Sequence, residues 1–363
     1  MSIEDSTEDR EDENDNKRMH HEKKRQKHRR RKIRRYLPFI AAMAAGTVAV
    51  IVIIAAVFHK GLIHSDGIGI ESIPEETAAT ETTESETEFT VDKTVYEAKK
   101  TEATKSVGDD VISEHAILID LGTGDIIAEK DADSRISPAS MTKIMTVLVA
   151  AETVGDPDDT FSMTQDITDF SYTNDCSNVG FSVGEQVPID DLYYGTILES
   201  GADAAVGLAT YTAGSQDGFV KLMNDRLKVL GLSDSAHFMN CVGIYDEDHY
   251  CTTYDMAMIL EAAMNNPICQ KVMSEHTYTT AKDTEHPDGI TISNWFLRRI
   301  EDKDSGVNVL CAKTGFVVQS KNCAASYAED SKGNGYICVT AGSTSAWRCI
   351  YDHVAMYKDF VGK

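Results

Sequence analysis

The longest apolar run of the chain lies near its start. Residues 37–58 form 22 consecutive positions without a charged side chain, LPFIAAMAAGTVAVIVIIAAVF. A helix of this length would be about 33 Å long, enough to cross a bilayer core of roughly 30 Å. A basic cluster precedes it, so the positive-inside rule places residues 1–36 in the cytoplasm and everything after Phe58 outside. We therefore expect an uncleaved signal anchor. A cleaved signal peptide is the alternative, but the apolar run at 37–58 and the 36 residues before it are both long for a signal peptide.

The next segment, residues 59–110, is polar and rich in Thr and Glu. Residues 74–88 form the stretch PEETAATETTESETE, which offers almost nothing to bury. A segment of this composition cannot offset the entropy lost on ordering. We therefore expect a disordered stalk over residues 59–110.

A globular pattern begins at Val111 and continues to residue 363. Two apolar runs around a Gly-containing turn predict a strand hairpin at residues 116–130. Apolar residues at helical spacing, with capping residues at their ends, predict a helical middle. The predicted helices begin at Ser137-Pro138, span 189–199, 203–212 and 217–230, begin again at Thr252 or Thr253, and close the chain after Ser345.

The last third of the chain changes to the period of strands, at residues 307–316, 322–329 and 336–342. An opening hairpin, a helical middle, three strands and a closing helix predict an α+β fold. We expect an antiparallel sheet with helices on its faces and a helical subdomain.

The charge is distributed unevenly along the 363 residues, whose formal net charge is -24. Residues 1–36 carry 13 basic and 9 acidic side chains, and the rest of the chain carries 22 basic and 50 acidic side chains. A chain this acidic outside one short tail is a poor candidate for nucleic-acid binding. The basic cluster fits a topology determinant that contacts anionic lipid better than a specific nucleic-acid or lipid site.

All eight cysteines lie after Val111, outside the predicted membrane. Disulfides are allowed there, but eight cysteines permit 105 full pairings and the sequence cannot choose among them. Scattered core thiols remain an equal alternative. Since no Cys-x-x-Cys pair is present, a zinc site has little support from the cysteines.

Ser140 and Lys143 are candidates for nucleophilic chemistry. They are three positions apart on a predicted helix, so their side chains share a face. Ser140 would lie at the third helical position, where free N–H groups and the positive helix end favour developing negative charge. Lys143 can act as a base only when neutral, and burial with a nearby cation would lower its pKa. The spacing alone is weak, since a capped helix start with a surface lysine gives the same pattern.

Two other motifs could contribute to a site. Lys313, Thr314 and Gly315 end a predicted strand, where a cation and a hydroxyl can hold a carboxylate and a glycine lets the substrate backbone approach. Ser200-Gly201 breaks the chain between two predicted helices, which can point a hydroxyl into a cleft. Alone, each motif is also compatible with an ordinary strand end or turn.

Taken together and in this order, the three motifs are specific, because such a set characterises penicillin-binding proteins and class A β-lactamases. Residues 111–363 resemble the D-alanyl-D-alanine carboxypeptidase family of low-molecular-weight serine penicillin-binding proteins, with the β-lactamase/transpeptidase-like fold. The matching segments are SPASMTKIMT (137–146), ILESGADAAVGLA (197–209), HFMNCVGIYDEDHYCTTYDMA (237–257) and CAKTG (311–315).

The resemblance implies that Ser140 is the acylated nucleophile and Lys143 its general base. Ser200 would relay a proton between Lys143 and the leaving or entering group. The implied reaction is attack on the D-Ala–D-Ala bond, release of D-Ala and hydrolysis of the acyl-enzyme.

The same resemblance implies a substrate-binding strand. Lys313 and Thr314 would hold the terminal carboxylate, Gly315 would let the substrate approach, and the N–H groups of Ser140 and Phe316 would form the oxyanion hole. No metal or organic cofactor is needed for this chemistry.

One departure from the family pattern affects the second motif. The usual motif is Ser-x-Asn, and here Ala202 holds the third position. The missing amide puts the usual substrate contact in doubt, although not Ser200 itself. Asp203 is not expected to substitute, because the family already has Asp there. Three further matching residues are expected to be structural: His249, Tyr250 and Asp255.

The predicted signal anchor, taken with the resemblance, implies a single-pass protein of the bacterial cell membrane whose catalytic domain is extracellular. Its partners would be peptidoglycan stem peptides, β-lactams as inhibitors, and the membrane through the N-terminal helix. A β-lactamase and a non-catalytic peptidoglycan- or β-lactam-binding sensor are the alternatives. The sequence also leaves carboxypeptidase versus cross-link endopeptidase action open.

Overall fold

The computed structural model describes residues 94–154 and 159–362. The predicted cytoplasmic tail, the predicted span at 37–58 and residues 59–93 of the predicted stalk lie outside these ranges. Within them, every helix is too short or too polar to cross a bilayer.

One mixed sheet organises the domain. Its strand order is β1-β3-β2-β10-β9-β8, with β1 parallel to β3 and all other neighbours antiparallel. Two small ribbons, β4–β5 and β6–β7, lie outside it. The strands are β1 (Lys105–Ser106), β2 (His115–Asp120), β3 (Asp125–Lys130), β4 (Thr160–Ser162), β5 (Gln186–Pro188), β6 (Thr277–Thr279), β7 (Thr291–Ser293), β8 (Asn308–Val317), β9 (Lys321–Glu329) and β10 (Gly335–Ser343).

The helices fill the middle of the chain and close it. Four of the predicted helices are confirmed in place, the closing helix follows the predicted cap, and the helix predicted from Ser137-Pro138 begins later, at Thr142, so that Ser140 lies before it instead of at its third position. They are α1 (Thr142–Thr153), α2 (Gln165–Thr173), α3 (Ile189–Leu198), α4 (Ala202–Ala213), α5 (Gln216–Val229), α6 (Thr253–Met264), α7 (Pro267–Met273), α8 (Leu297–Ile300) and α9 (Ala346–Phe360).

The sheet is buried on both faces, and its central strands are mostly apolar, with a few buried polar residues such as Ser326 and Thr340. Alternate residues of a strand point to opposite faces. Ile337 and Val339 of β10 accordingly pack into the main core with α1 and α6, whereas Cys338 packs with Met356 and Tyr357 of α9. This places α9 on one face and the helical part of the domain on the other, as the α+β pattern predicts.

The ordered domain begins earlier than the predicted Val111. β1 pairs with β3 in the register Lys105 to Ala128, and the N–H of Val107 donates to the carbonyl of Glu129 at 2.9 Å. Tyr96 and Val107 are buried. The prediction of a disordered stalk is therefore wrong for residues 94–110, because these two side chains and the free edge of β3 give the segment something to pack on.

Helix capping follows the sequence at two ends and departs from it at a third. Thr252 caps α6 in a reciprocal box with Asp255, and the Ser345 hydroxyl accepts from the N–H of Arg348 at the start of α9. The predicted Ser137 cap does not form. A short 3₁₀ turn, Ala139–Met141, precedes α1 instead, and no side chain caps it.

The eight cysteines all lie in the described residues, and none of them is in a disulfide. Seven are buried and Cys176 is half-buried. Of the two alternatives, the structure therefore has core thiols.

Candidate active site

Ser140 lies on the 3₁₀ turn at the base of a cleft of about 500 Å³. The turn is strained, since Ala139, directly before the nucleophile candidate, has a φ of 48°. A Cβ on Gly243 would lie 1.8 Å from the carbonyl oxygen of Ala139, so only a glycine there lets the neighbouring loop pack against this turn. The nucleophile candidate is thus fixed by its backbone surroundings rather than by a side-chain cap.

Lys143 lies one turn further along, at the start of α1, and its side chain is almost fully buried. Its Nζ is 3.1 Å from Ser140 Oγ and donates to the carbonyl of Val242 at 2.7 Å. Burial lowers the pKa of Lys143 to about 8, although the nearby Cys176 and Cys241 oppose the shift. A substantial neutral fraction near pH 8 makes this amine a competent base for the Ser140 hydroxyl.

A second lysine is buried behind the cleft wall and lies outside the cleft lining itself. Lys313 on β8 donates from Nζ to Ser200 Oγ at 2.9 Å and to the carbonyl of Thr314 at 2.8 Å. Burial, followed by the charge of Lys143, holds the pKa of Lys313 well below its usual range. Ser200 has a φ of 58°, the left-handed region that costs a non-glycine residue free energy. The turn before α4 is therefore strained where it presents this hydroxyl.

Gly315 lets the edge strand β8 run beside the nucleophile. A Cβ at this position would lie 2.9 Å from the backbone nitrogen of Ser140 and 2.8 Å from Cys323 Sγ. Within the described residues β8 pairs on one side only, with β9. Its other edge thus borders the cleft without a neighbouring strand, and Phe316 stands exposed at the rim.

The second motif departs from the family pattern without a substitute. Ala202 is fully buried at the start of α4 and lies outside the cleft lining. The carboxylate of Asp203 accepts from the N–H groups of Val179 and Gly180, each at 2.9 Å, so it holds a neighbouring loop instead of facing the cleft.

The three residues expected to be structural lie outside the cleft lining. His249 bonds the Thr142 hydroxyl at 2.8 Å, Asp255 caps α6, and Tyr250 stacks under the guanidinium of Arg135.

Several cleft residues were not named as candidates from the sequence, although Val242, Ile244 and Tyr245 lie in the matching segment 237–257. One wall comes from the segment after α2, another from the loop after Gly243, and the rim is partly aromatic. The others come from distant parts of the chain that only the fold brings together, so no local spacing could have revealed them. The missed lining residues are Asn174, Asp175, Cys176, Ser177, Val242, Ile244, Tyr245, Trp295, Val317, Gln319, Asn322 and Ala346.

Comparison with known families gives a consistent result. The sequence profile of the D-alanyl-D-alanine carboxypeptidase family, Peptidase_S11, matches residues 98–344.

Several curated proteins are similar over part of their length. D-alanyl-D-alanine carboxypeptidase DacF of Bacillus subtilis (strain 168) is 29% identical over 219 residues, which are 60% of this chain and 54% of the relative. DacA of Escherichia coli (strain K12) is 38% identical over 165 residues, 42% of this chain and 40% of the relative. The chain thus spans about half of these two relatives or less. It covers 78% of the Streptomyces sp. (strain K15) D-alanyl-D-alanine carboxypeptidase, at 32% identity over 232 residues.

Solved structures agree on the fold. The crystal structure of the Streptomyces K15 DD-transpeptidase superimposes with a TM-score of 0.62 at 28% identity, over 69% of this chain and 97% of the other. Penicillin-binding protein 5 from Haemophilus influenzae gives 0.59 at 27% identity, over 67% and 68%. The predicted fold class, a multistranded sheet with flanking helices, is therefore confirmed.

Proposed function

The chain belongs to the D-alanyl-D-alanine carboxypeptidase family, and on that premise we propose that it removes the terminal D-Ala from peptidoglycan stem peptides through an acyl-enzyme. The observation that carries this proposal is the pair of short contacts at the base of the cleft, from Lys143 Nζ to Ser140 Oγ and from Lys313 Nζ to Ser200 Oγ. Two hydroxyls each beside a buried amine fit nucleophilic attack followed by proton transfer to a leaving amine.

Acylation begins with neutral Lys143 taking the proton of Ser140 as Oγ attacks the carbonyl of the D-Ala–D-Ala bond. The N–H groups of Ser140 and Phe316 stabilise the oxyanion, an effect that mutagenesis elsewhere values at about 10²–10³ in rate per donor. Ser200 then passes a proton from Lys143 to the leaving nitrogen, the C–N bond breaks and D-Ala leaves. Water, deprotonated by the same amine, hydrolyses the ester and restores Ser140.

The second lysine of the site, Lys313, has a role in binding the terminal carboxylate of the substrate. Lys313 and Thr314 would hold it, and the open edge of β8 beside Gly315 would pair with the substrate backbone. In a chain with a net charge of -24, an anionic substrate needs such a local positive site. β-lactams would acylate the same Ser140 and leave it slowly.

The remaining expectations concern location. We propose that residues 1–36 are cytoplasmic, that 37–58 anchor the chain in the bacterial cell membrane, and that a stalk carries the domain outside. The acidic composition of the domain and the charge asymmetry around residues 37–58 support this topology.

One observation favours a second candidate, a non-catalytic peptidoglycan- or β-lactam-binding sensor. Ala202 removes the amide that the family's second motif usually supplies, and no side chain replaces it at that position. Such a protein would bind the peptide and acylate with a β-lactam without turning the peptide over.

The test is an assay of the full chain on a peptide that ends in D-Ala–D-Ala, with labelled penicillin as the covalent probe. We expect D-Ala release and a label on Ser140. Ser140→Ala should abolish both, whereas Ser162→Ala, an exposed serine of β4, should change neither. Label that persists in Ser140→Ala would overturn the assignment.

Peptide binding without release would favour the sensor, and an acyl-enzyme lifetime of seconds or less would favour a β-lactamase. Cross-linked muropeptides used in parallel separate endopeptidase from carboxypeptidase action.

A further inference from the structure

Three potential metal ligands converge away from the cleft lining. Glu185 precedes β5, while Asp283 and His286 lie in the loop between β6 and β7. His286 Nδ1 is 3.3 Å from Glu185 Oε1 and 3.8 Å from Asp283 Oδ1, and the three ligand atoms all lie within 4.8 Å of one another. Among the described residues this is the one such cluster.

Backbone N–H groups orient both carboxylates. Ser182 donates to Glu185 Oε2 at 2.6 Å, which leaves Oε1 to face the imidazole. The N–H of His286 donates to Asp283 at 2.6 Å and closes the turn that carries both ligands. Groups held in this way lose little further freedom when they bind an ion.

The cluster is also partly enclosed. The Glu185 side chain is only 6% exposed, while Asp283 and His286 are 31% and 23% exposed. A buried carboxylate is costly unless a positive partner compensates it, and a neutral imidazole supplies only a hydrogen bond. The more exposed side would admit an ion and a water ligand.

We propose that Glu185, Asp283 and His286 bind a Zn²⁺ ion with water as the fourth ligand. Tetrahedral zinc with Zn–N and Zn–O bonds of about 2.0–2.2 Å separates neighbouring ligand atoms by roughly 3.3–3.5 Å. The His286–Glu185 distance of 3.3 Å already matches, the His286–Asp283 distance of 3.8 Å would close by a few tenths of an ångström, and the two carboxylate oxygens, which lie within 4.8 Å of each other, would close to the same separation. One imidazole with two carboxylates suits zinc, whereas Ca²⁺ takes six to eight oxygens and Mg²⁺ keeps most of its waters.

The ion would join two segments that are far apart in the chain. The segment that ends at Glu185 starts in the cleft wall at 174–177 and is held midway by Asp203. Zinc would anchor its far end to the β6–β7 loop. The main effect is therefore on stability, and the proposal does not depend on the carboxypeptidase activity.

The test compares the metal-stripped full chain with and without added Zn²⁺. We expect a rise in Tm of roughly 5 °C at saturating zinc. Co²⁺, used as a spectroscopic substitute, should give the intense visible absorption of a tetrahedral site. D283N, E185Q and H286N should each weaken the Kd for zinc at least tenfold and lose the cobalt band. The matched control is H276N, because His276 lies 2.8 Å from the Glu301 carboxylate at the surface but has no third ligand.

Two results would overturn the proposal. One is a zinc-dependent rise in Tm that is equal in the wild-type chain, D283N and H286N, which would place the ion elsewhere. The other is stabilisation by Ca²⁺ or Mg²⁺ as strong as by Zn²⁺ without a tetrahedral cobalt spectrum. If E185Q does not fold, D283N and H286N decide, because both side chains are partly exposed.

Discussion

Two clusters of polar side chains in this domain are buried and carry shifted pKa values, yet only one opens onto a cleft. The cleft cluster consists of Ser140, Lys143, Ser200 and Lys313. The closed cluster consists of Ser326, Thr340, His353 and Tyr357, between α9 and the sheet. His353 bonds Ser326 at 2.8 Å and Thr340 at 3.1 Å, and Tyr357 bonds Ser326 at 2.7 Å.

The difference lies in access and in backbone strain. Burial lowers the pKa of His353 to about 4, a shift of the same size as that of Lys143. The members of the closed cluster are fully buried, bond one another, and lie outside the cleft lining. In the cleft cluster two amines with lowered pKa values are buried near each other, and Ser200 has a left-handed φ. A shifted pKa alone therefore does not identify an active site, whereas a shift with solvent access and strain does.

Replacing the base should separate the clusters most clearly. We expect Lys143→Met to slow acylation by labelled penicillin about 10³-fold, because Ser140 loses the only amine within reach of its proton among the described residues. Its Tm should stay level or rise, since a buried amine is replaced by an apolar side chain. Tyr357→Phe in the closed cluster should acylate within about twofold of the parent but unfold at lower temperature. If Lys143→Met kept a tenth of the parent's acylation rate, Lys143 would not be the general base.

The second lysine should affect recognition more than chemistry. We expect Lys313→Met to lower kcat/KM about 10²-fold on a peptide with a free C-terminal carboxylate, chiefly through KM. The informative control is the same peptide with an amidated C-terminus, which the parent should use poorly and the variant no worse. If the variant still prefers the free carboxylate, another group binds it.

The sequence predicted the main sheet and the long helices because their periodic apolar positions are buried on defined faces. It missed the ribbons β4–β5 and β6–β7, whose strands have three residues each and show no usable period. It also missed the order of residues 94–110, since β1 has two residues and depends on the exposed edge of β3. Tertiary contact decides these elements, and it is not visible in local composition.

The candidate site divides in the same way. Helical spacing alone predicted that Ser140 and Lys143 share a face, and the structure places them in contact. The contact between Ser200 and Lys313 joins residues 113 positions apart. The family resemblance placed both in one site but did not predict this contact, which the structure adds. The cleft wall at 174–177 and the zinc ligands matched no motif, and the fold alone assembles them.

The closed cluster should determine stability instead of activity. We expect His353→Gln to lower the free energy of unfolding by about 2–3 kcal/mol, because it disrupts a buried network that bonds Ser326 and Thr340. The kcat/KM of the folded variant should stay within twofold.

In the parent the unfolded chain binds more protons between about pH 4 and 6.5, since the pKa of His353 is lowered on folding. Stability should therefore rise with pH across this window and rise less in the variant, where His249 still contributes. Urea unfolding at pH 5 and pH 7 measures this change. If the free energy of unfolding rose by the same amount between the two pH values in the parent and in the variant, the prediction would be contradicted.

The smallest expected effect is the pH dependence of acylation. With the pKa of Lys143 at about 8, the neutral amine that takes the Ser140 proton should increase about tenfold between pH 7 and pH 9, and the acylation rate should follow it. Folding lowers this pKa, so the unfolded chain binds more protons than the folded chain between about pH 8 and 10.5. The free energy of unfolding should therefore also rise with pH in this range because of Lys143. Stopped-flow kinetics measures the pH dependence of acylation, and urea unfolding measures that of stability. His353→Gln should leave the kinetic curve unchanged, because the pKa of His353 lies far below this range. A rate that is flat from pH 7 to 9 would mean that Lys143 is already neutral at pH 7 or is not the base, and Lys143→Met distinguishes these two cases.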